Sequence, residues 1–229
     1  MRRRVALALA AVALVALAAL AGCVSPLPQE DEVDYGDRWN TSADVTYYIE
    51  DDTFTAVVDV GSLNGTEFEV WERDPFGGDS PVQVAGVRFR DGGNVTNVSD
   101  VDTSGDRAVV ELPDDDGLLA YTAAKSGTSF THPSPVTGDV AAHLPPGTDA
   151  RDFFLGRLSP SGYEVGSEQP LVVRWDGLER GSYVTVEYYR RGYPYVLIGV
   201  LAVLLVAAVV AVLVYRRRLR EAEEKKVGP

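Results

Sequence analysis

Cysteine is nearly absent from this chain: Cys23 is the only one. No disulfide can form within the chain, and no cysteine-based metal site is available. Histidine is almost as scarce. His132 precedes a proline in a Ser/Pro-rich stretch, and His143 ends a short apolar run. Neither stands in an H-E-x-x-H or paired-ligand spacing, so the signature of a catalytic zinc site is missing. There is no G-x-S-x-G elbow. The block Gly78-Asp79-Ser80-Pro81 is shaped like a serine-hydrolase motif, but no glycine follows the serine. Nor does either histidine have an aspartate three residues before it. The block therefore reads as a turn. Lysine is also sparse. Between residues 24 and 190 the basic residues are ten Arg and the single Lys125. Polarity itself is what residues 196–214 lack: these nineteen positions hold only Val, Leu, Ala, Ile and Gly.

That last absence organises the rest. A helix of nineteen residues reaches roughly 28 Å, close to the hydrocarbon thickness of a bilayer. Its Val, Leu and Ile residues sum to roughly −4 to −8 kcal/mol of insertion free energy at most. Tyr193, Tyr195 and Tyr215 flank the run as an aromatic belt, and Arg216, Arg217, Arg218 and Arg220 follow. A transmembrane helix is expected over 195–215, with a basic tail at 216–229. At the other end, Arg2, Arg3 and Arg4 precede an unbroken apolar run over 5–20, closed by Leu20-Ala21-Gly22-Cys23. This is a signal helix in form, and its last four residues resemble a lipobox, whose cysteine thiol is lipidated before cleavage ahead of it. Residues 1–23 are thus expected to be a lipoprotein-type signal peptide with Cys23 as the lipidation site. Ala19-Leu20-Ala21 offers an alternative simple cleavage site. Basic residues before the first apolar run and after the second place residues 24–190 outside and the tail in the cytoplasm.

Residues 24–190 hold 31 Asp and Glu against 11 Lys and Arg, a net charge of −20. Such a body repels a nucleic-acid backbone, so nucleic acid is not an expected partner. An acidic, Lys-poor surface resembles proteins of salt-accumulating archaea. Self-repulsion of this size destabilises a compact state unless salt screens it.

Residues 24–37 are Pro- and acid-rich without apolar period, and read as a tether. Beyond them the pattern is β: short alternating apolar runs separated by turn signals. Residues 45–49 and 54–60 form two strands around Asp51-Asp52, and Phe68, Val70 and Trp71 lie in a third. Residues 82–90 alternate well, with Gly86 marking a bulge. Residues 107–112 and 118–123 flank Pro113-Asp114-Asp115-Asp116-Gly117, which reads as a hairpin. Residues 126–138 are rich in Ser, Gly, Thr and Pro and suggest a linker between β-rich parts at 38–125 and 139–190. Residues 149–158 are the one candidate helix of the body. The expected fold class is mainly β: a β-sandwich-like ectodomain, as one large or two small sandwiches, plus the C-terminal helix. Trp71 and Trp175 are expected in its core.

Four sequons, at Asn40, Asn64, Asn94 and Asn97, lie near predicted turns where a glycan is tolerated. Asp114, Asp115 and Asp116 form a weak Ca²⁺ candidate that lacks the EF-hand spacing. No catalytic residue and no cofactor site can be named. A paired-carboxylate glycosidase stays open, because such pairs meet only in the fold.

The Leu20-to-Cys23 box, the acidic β-rich body, Arg174-Trp175-Asp176, the strand at 183–190 and the run Arg216-Arg217-Arg218-Leu219-Arg220-Glu221 together resemble an uncharacterised family of haloarchaeal membrane-anchored surface lipoproteins. The resemblance implies location and build, with no activity to carry over. The expected function is a non-enzymatic extracellular binding or structural module, or an accessory subunit of an envelope complex, with the membrane and an envelope protein as partners. The alternative is an extracellular hydrolase using a carboxylate pair on envelope glycans or peptides. A cleft with two carboxylates about 5–10 Å apart favours the second.

Overall fold

The computed structural model of the chain describes residues 33–63, 65–74, 76–152, 154–195, 198–206, 208, 209, 212 and 216. The signal segment with Cys23, the start of the tether, Asn64 and the tail beyond Arg216 lie outside the described residues.

The alternating runs become strands. They are β1 (Val45–Ile49), β2 (Thr53–Asp59), β3 (Glu67–Arg73), β4 (Asp79–Pro81), β5 (Val84–Asp91), β6 (Asn94–Asn97), β7 (Val101–Asp102), β8 (Ala108–Glu111), β9 (Leu118–Ala124) and β10 (Ser129–Pro133). There follow β11 (Gly138–His143), β12 (Thr148–Asp149), β13 (Arg157–Ser159), β14 (Tyr163–Val165), β15 (Val172–Leu178), β16 (Tyr183–Glu187) and β17 (Tyr189–Arg190). Eight strands form one sheet in the order β14-β15-β11-β1-β2-β9-β5-β6. Facing it are two smaller sheets, β4-β3-β8-β7 and β10-β16-β13. The protein is mainly β, in two sandwich-like layers.

Period-2 alternation decides which side chains meet between the layers. From the large sheet come Tyr47, Phe54, Val58, Leu119, Tyr121 and Trp175; from the small sheets come Phe68, Val70, Val110, Phe130, Val184 and Val186. All are buried. Trp71 and Trp175 are 4% and 1% exposed, as expected of core residues. One apolar cluster therefore joins strands from 38–125 to strands from 139–190, so the two β-rich parts share a single core. The pairing agrees: β1 runs parallel to β11, with Val45 opposite Val140.

Four local expectations are corrected. The stretch 126–138 is not a linker, because its Phe130 and His132 point inward on β10 and pair across to Val186 and Val184. Residues 107–123 are not a hairpin. β8 pairs with β3 and β7, while β9 pairs with β2 and β5, so the turn carries the chain from one layer to the other. Gly117 makes that crossing at φ +152, where a Cβ would stand 2.6 Å from the Phe89 ring and 2.8 Å from the Arg90 carbonyl. Among the described residues of 149–158 there is no helix. Asp149 closes β12, a single turn is held by the Gly156 N–H donating to Asp152 O at 2.8 Å, and β13 begins at Arg157. The end of the tether is ordered. Tyr35, just before a 3-10 turn (Gly36–Trp39), and Trp39, its last residue, pack with Val57 and Ala120 on the outer face of the large sheet. The Tyr35 hydroxyl donates to Gly86 O at 2.7 Å. Gly86 lies in the expected bulge, where the β5–β9 register shifts between Ala85 and Arg88. It sits at φ +62, and a Cβ there would meet Val33 at 2.8 Å.

This β-rich unit ends at Tyr189, and a second compact unit begins at Arg190. In the second unit residues 193–195, 198–206, 208, 209, 212 and 216 are helical. Among the described residues no helix is long and apolar enough to cross a membrane. Of the span expected at 195–215, residues 196, 197, 207, 210, 211 and 213–215 lie outside the described ones.

Candidate functional site

Two concavities in the β-rich unit bring polar and aromatic groups together. The larger, about 720 Å³, runs beside the ordered end of the tether. Trp39, Asn40 and Asp44 line one part of it, and Asp59, Arg90 and Asp116 another. Arg90 is held over the Trp39 ring at 5.1 Å, and its Nη2 donates to Trp39 O at 3.0 Å. Asp59 Oδ1 accepts the Gly61 N–H at 3.0 Å. Asp59 Oδ1 and Asp116 Oδ1 lie 3.3 and 3.2 Å from one point, the place of a Cβ on Gly61. Laid end to end, those distances put the two oxygens no more than about 6.5 Å apart. Both side chains stand in solvent.

The second concavity, about 380 Å³, opens at the seam of the smaller layer, where β3 and β10 lie side by side without pairing. Its floor is buried and aromatic: Phe54, Phe130 and His132, with Val82 beside them. Glu72, Lys125, Ser126, Ser129 and Thr131 complete the lining. Lys125 is anchored there by donating to Asp51 O at 2.8 Å, and burial lowers its pKa.

The floor contains the one histidine that is fully enclosed. His132 is 2% exposed and packed among Tyr47, Phe54, Tyr121 and Phe130. Its Nδ1 lies 2.9 Å from Pro133 O, which also accepts the Tyr47 hydroxyl at 2.9 Å. The Tyr47 hydroxyl also stands 3.4 Å from Nδ1, so Nδ1 faces both a carbonyl, which can only accept, and a hydroxyl, which can donate or accept. Among the described residues Nε2 has no hydrogen-bond partner, and neither has the buried Tyr121 hydroxyl. Leaving such a group unbonded costs about 1–3 kcal/mol. Burial also pushes the His132 pKa down to about 4, because an imidazolium there would lose its water. His143 is a different case: it stacks on Tyr48 at 4.7 Å, with its pKa lowered by partial burial and by Arg174.

The sequence-predicted positions are scattered. Asn40 follows the 3-10 turn and lines the larger groove, exposed. Asn94 and Asn97 both stand exposed on the edge strand β6. Their odd spacing puts them on opposite faces. Arg88 Nη1 donates to Asn97 Oδ1. Cys23 and Asn64 lie outside the described residues. Asp114, Asp115 and Asp116 are exposed on the crossing between layers, and Asp114 Oδ1 accepts the Asp115 N–H at 2.8 Å. Among the described residues no group of three or more His, Cys, Asp or Glu could hold a metal ion. Asp79, from the hydrolase-like block, accepts from Arg107 at 2.7 Å. Arg107 also bridges to Glu69 at 2.9 Å and lies 4.2 Å over the Trp71 ring.

Reading the residues one at a time missed both concavities. The only available signal was His132 two residues after Phe130, an alternation that sends both inward if the stretch is a strand.

A model of a family of unknown function, DUF5803, matches residues 41–228. The chain belongs to that family. The match takes in every strand from β1 to β17 and nearly all of the C-terminal unit, and begins after Tyr35 and Trp39. No curated protein and no solved structure matches the chain.

Proposed function

We propose that this member of the family is a membrane-anchored extracellular module that binds or braces a partner in the envelope, and is not an enzyme. The observation that carries the reading is the C-terminal unit. Its described helical residues are apolar and yet exposed: Ile198 63%, Val203 69%, Leu205 67%. Burying one such side chain fully is worth about 1.5–3 kcal/mol, so a helix that shows them all round needs lipid or protein around it. The charge-free run 196–214 and the arginines behind it favour lipid. On this reading 195–215 spans the membrane, residues 24–190 are outside, and Cys23 carries a lipid that adds a second anchor. The acidic, Lys-poor body suits a salt-rich, haloarchaeal setting.

Protease added to intact cells is the test. It should remove the acidic body and leave a small fragment containing the last dozen residues. A body that stays whole until the cells are lysed would overturn the reading. Cys23→Ser should shift the protein from the detergent phase only slightly, because the span still holds.

One observation favours the hydrolase alternative: the Asp59 and Asp116 carboxylates line the larger groove beside Trp39 with oxygens no more than about 6.5 Å apart, a ceiling that admits the spacing of a retaining glycosidase. Against it, both stand in solvent and Asp59 already serves a turn. Release of reducing sugar from envelope glycan by the wild type but not by Asp59→Asn or Asp116→Asn would restore it.

A further inference from the structure

We infer that the turn at residues 154–156 is a membrane-docking point: Phe154 enters the interfacial layer of the lipid bilayer and fixes which end of the β-rich unit faces it. This rests on the membrane-anchored reading above and names the surface by which the body meets the lipid. Phe154 is 89% exposed, although removing a phenyl ring from water is favourable. The turn's own backbone holds it out. The Phe154 N–H donates to Asp152 Oδ1 at 2.8 Å, and the Gly156 N–H donates to Asp152 O at 2.8 Å. A Cβ on Gly156 would stand 2.4 Å from Ala150 O, so the two arms of the turn close against each other and leave no room for a ring between them.

Two strand pairings put that turn beside the chain's exit toward the span. β12, which precedes it, pairs with β17. β13, which follows it, pairs with β16, and Arg157 lies opposite Glu187. β17 ends at Arg190, and residues 191–195 reach at most about 18 Å at full stretch before the charge-free run begins. Once that run is in lipid, the end of the β-rich unit that carries Phe154 is the end the bilayer meets. The charge agrees. Residues 149–157 and 189–195 hold four Arg against two Asp, in a body whose net charge is −20. A headgroup layer accepts aromatic rings and arginines more readily than a carboxylate-covered face. Phe76 supplies the contrast, being 98% exposed on the turn between β3 and β4. That turn follows Arg73, which stands 4.3 Å over the Tyr183 ring, and Tyr183 opens the strand that Glu187 closes. The five residues of β16 put roughly 13 Å between those two ends.

The test uses the full-length chain in phosphatidylcholine nanodiscs at molar NaCl. Cys23→Ser leaves no native thiol, so Phe154→Cys, Phe76→Cys and Leu205→Cys each place one environment-sensitive fluorophore. The label at 154, seated roughly 5–10 Å into the headgroup and acyl boundary, should shift to the blue and lose most of its emission when the lipid carries a nitroxide high on its acyl chains. The label at 76 should keep the spectrum it has in water and lose almost none. The label at 205 should be quenched by a nitroxide deep in the acyl chains, which tests the span by itself. Quenching at 205 with none at 154 would overturn the docking point and leave the surface-module reading standing. A blue shift at 154 without quenching would mean that protein covers the ring, a second copy or the chain's own helix, and would overturn it too. Equal quenching at 154 and 76 would do the same, since the dye and not the fold would then be choosing the lipid. No quenching at 205 would remove the span and the docking point together.

Discussion

Acid should weaken this protein through His132. In the unfolded chain a histidine titrates near 6.5, while in the folded core burial holds His132 down to about 4. Because the folded pKa is the lower one, the unfolded state takes up the proton first. The stability that His132 provides by staying neutral is therefore complete above pH 6.5 and is lost as pH falls toward 4. With 1.36 kcal/mol per pKa unit, about 2 kcal/mol should be gone at pH 5 and about 3 kcal/mol at pH 4. The groups packed on the ring are Tyr47, Phe54, Tyr121 and Phe130. None of them ionises in this window; burial raises both tyrosine pKa values. Asp149, held down to about 2 by Arg151, contributes stability that is lost only below its unfolded value of 3.8. His143 shares the upper window, since its pKa is also lowered, so the measurement must be a difference. Urea unfolding of wild type and His132→Phe at pH 7, 6, 5 and 4.5 in molar NaCl isolates the one residue. The variant should lose markedly less stability between pH 7 and 4.5. Parallel pH curves for the two proteins would refute the reasoning, because they would mean that water reaches the imidazole in the folded state.

Three further perturbations test the packing and the surface. Phe54→Ala removes the ring that meets Tyr47, Tyr121, Phe130 and His132, and should cost about 3–5 kcal/mol in chemical denaturation. Gly117→Ala should cost clearly more than Gly92→Ala: both have positive φ, but a Cβ at 117 strikes Phe89 and Arg90 while one at 92 meets open space. An equal loss of about 1 kcal/mol in the two melting curves would show that the crossing can relax. The β-rich unit should lose its far-ultraviolet dichroism when NaCl is lowered from molar to millimolar, since the charge of −20 over residues 24–190 is then unscreened. An unchanged spectrum would show that charge repulsion is too weak to matter here.

The order of strands along the chain was legible because alternation is local. Residues 45–49 and 118–123 read as strands and are strands, 54–60 does so with its bounds moved back by one to 53–59, and Gly86 read as a bulge and lies in one. Turn chemistry was legible only in part. Pro113 to Gly117 announces a change of direction, but whether the chain returns to its own sheet or crosses to the other depends on which layer has room for β9. The aperiodic composition of 126–138 hid β10, because a five-residue strand with a proline at its end carries little pattern. The ordered tether end was hidden for another reason: Tyr35 and Trp39 have no apolar period, and they are buried only because Val57 and Ala120 expose an outward apolar face.

Charge sign, scarcity of cysteine and histidine, and the uninterrupted apolar run are properties of the chain itself. They set the protein's class and its expected address before any contact is known, because partitioning free energies add residue by residue. The meeting of Phe54, Phe130 and His132 around one cleft is of another kind. It needs β10 to lie across from β2 with 69 residues of chain, 60–128, between them, and only the packing of two layers brings that about.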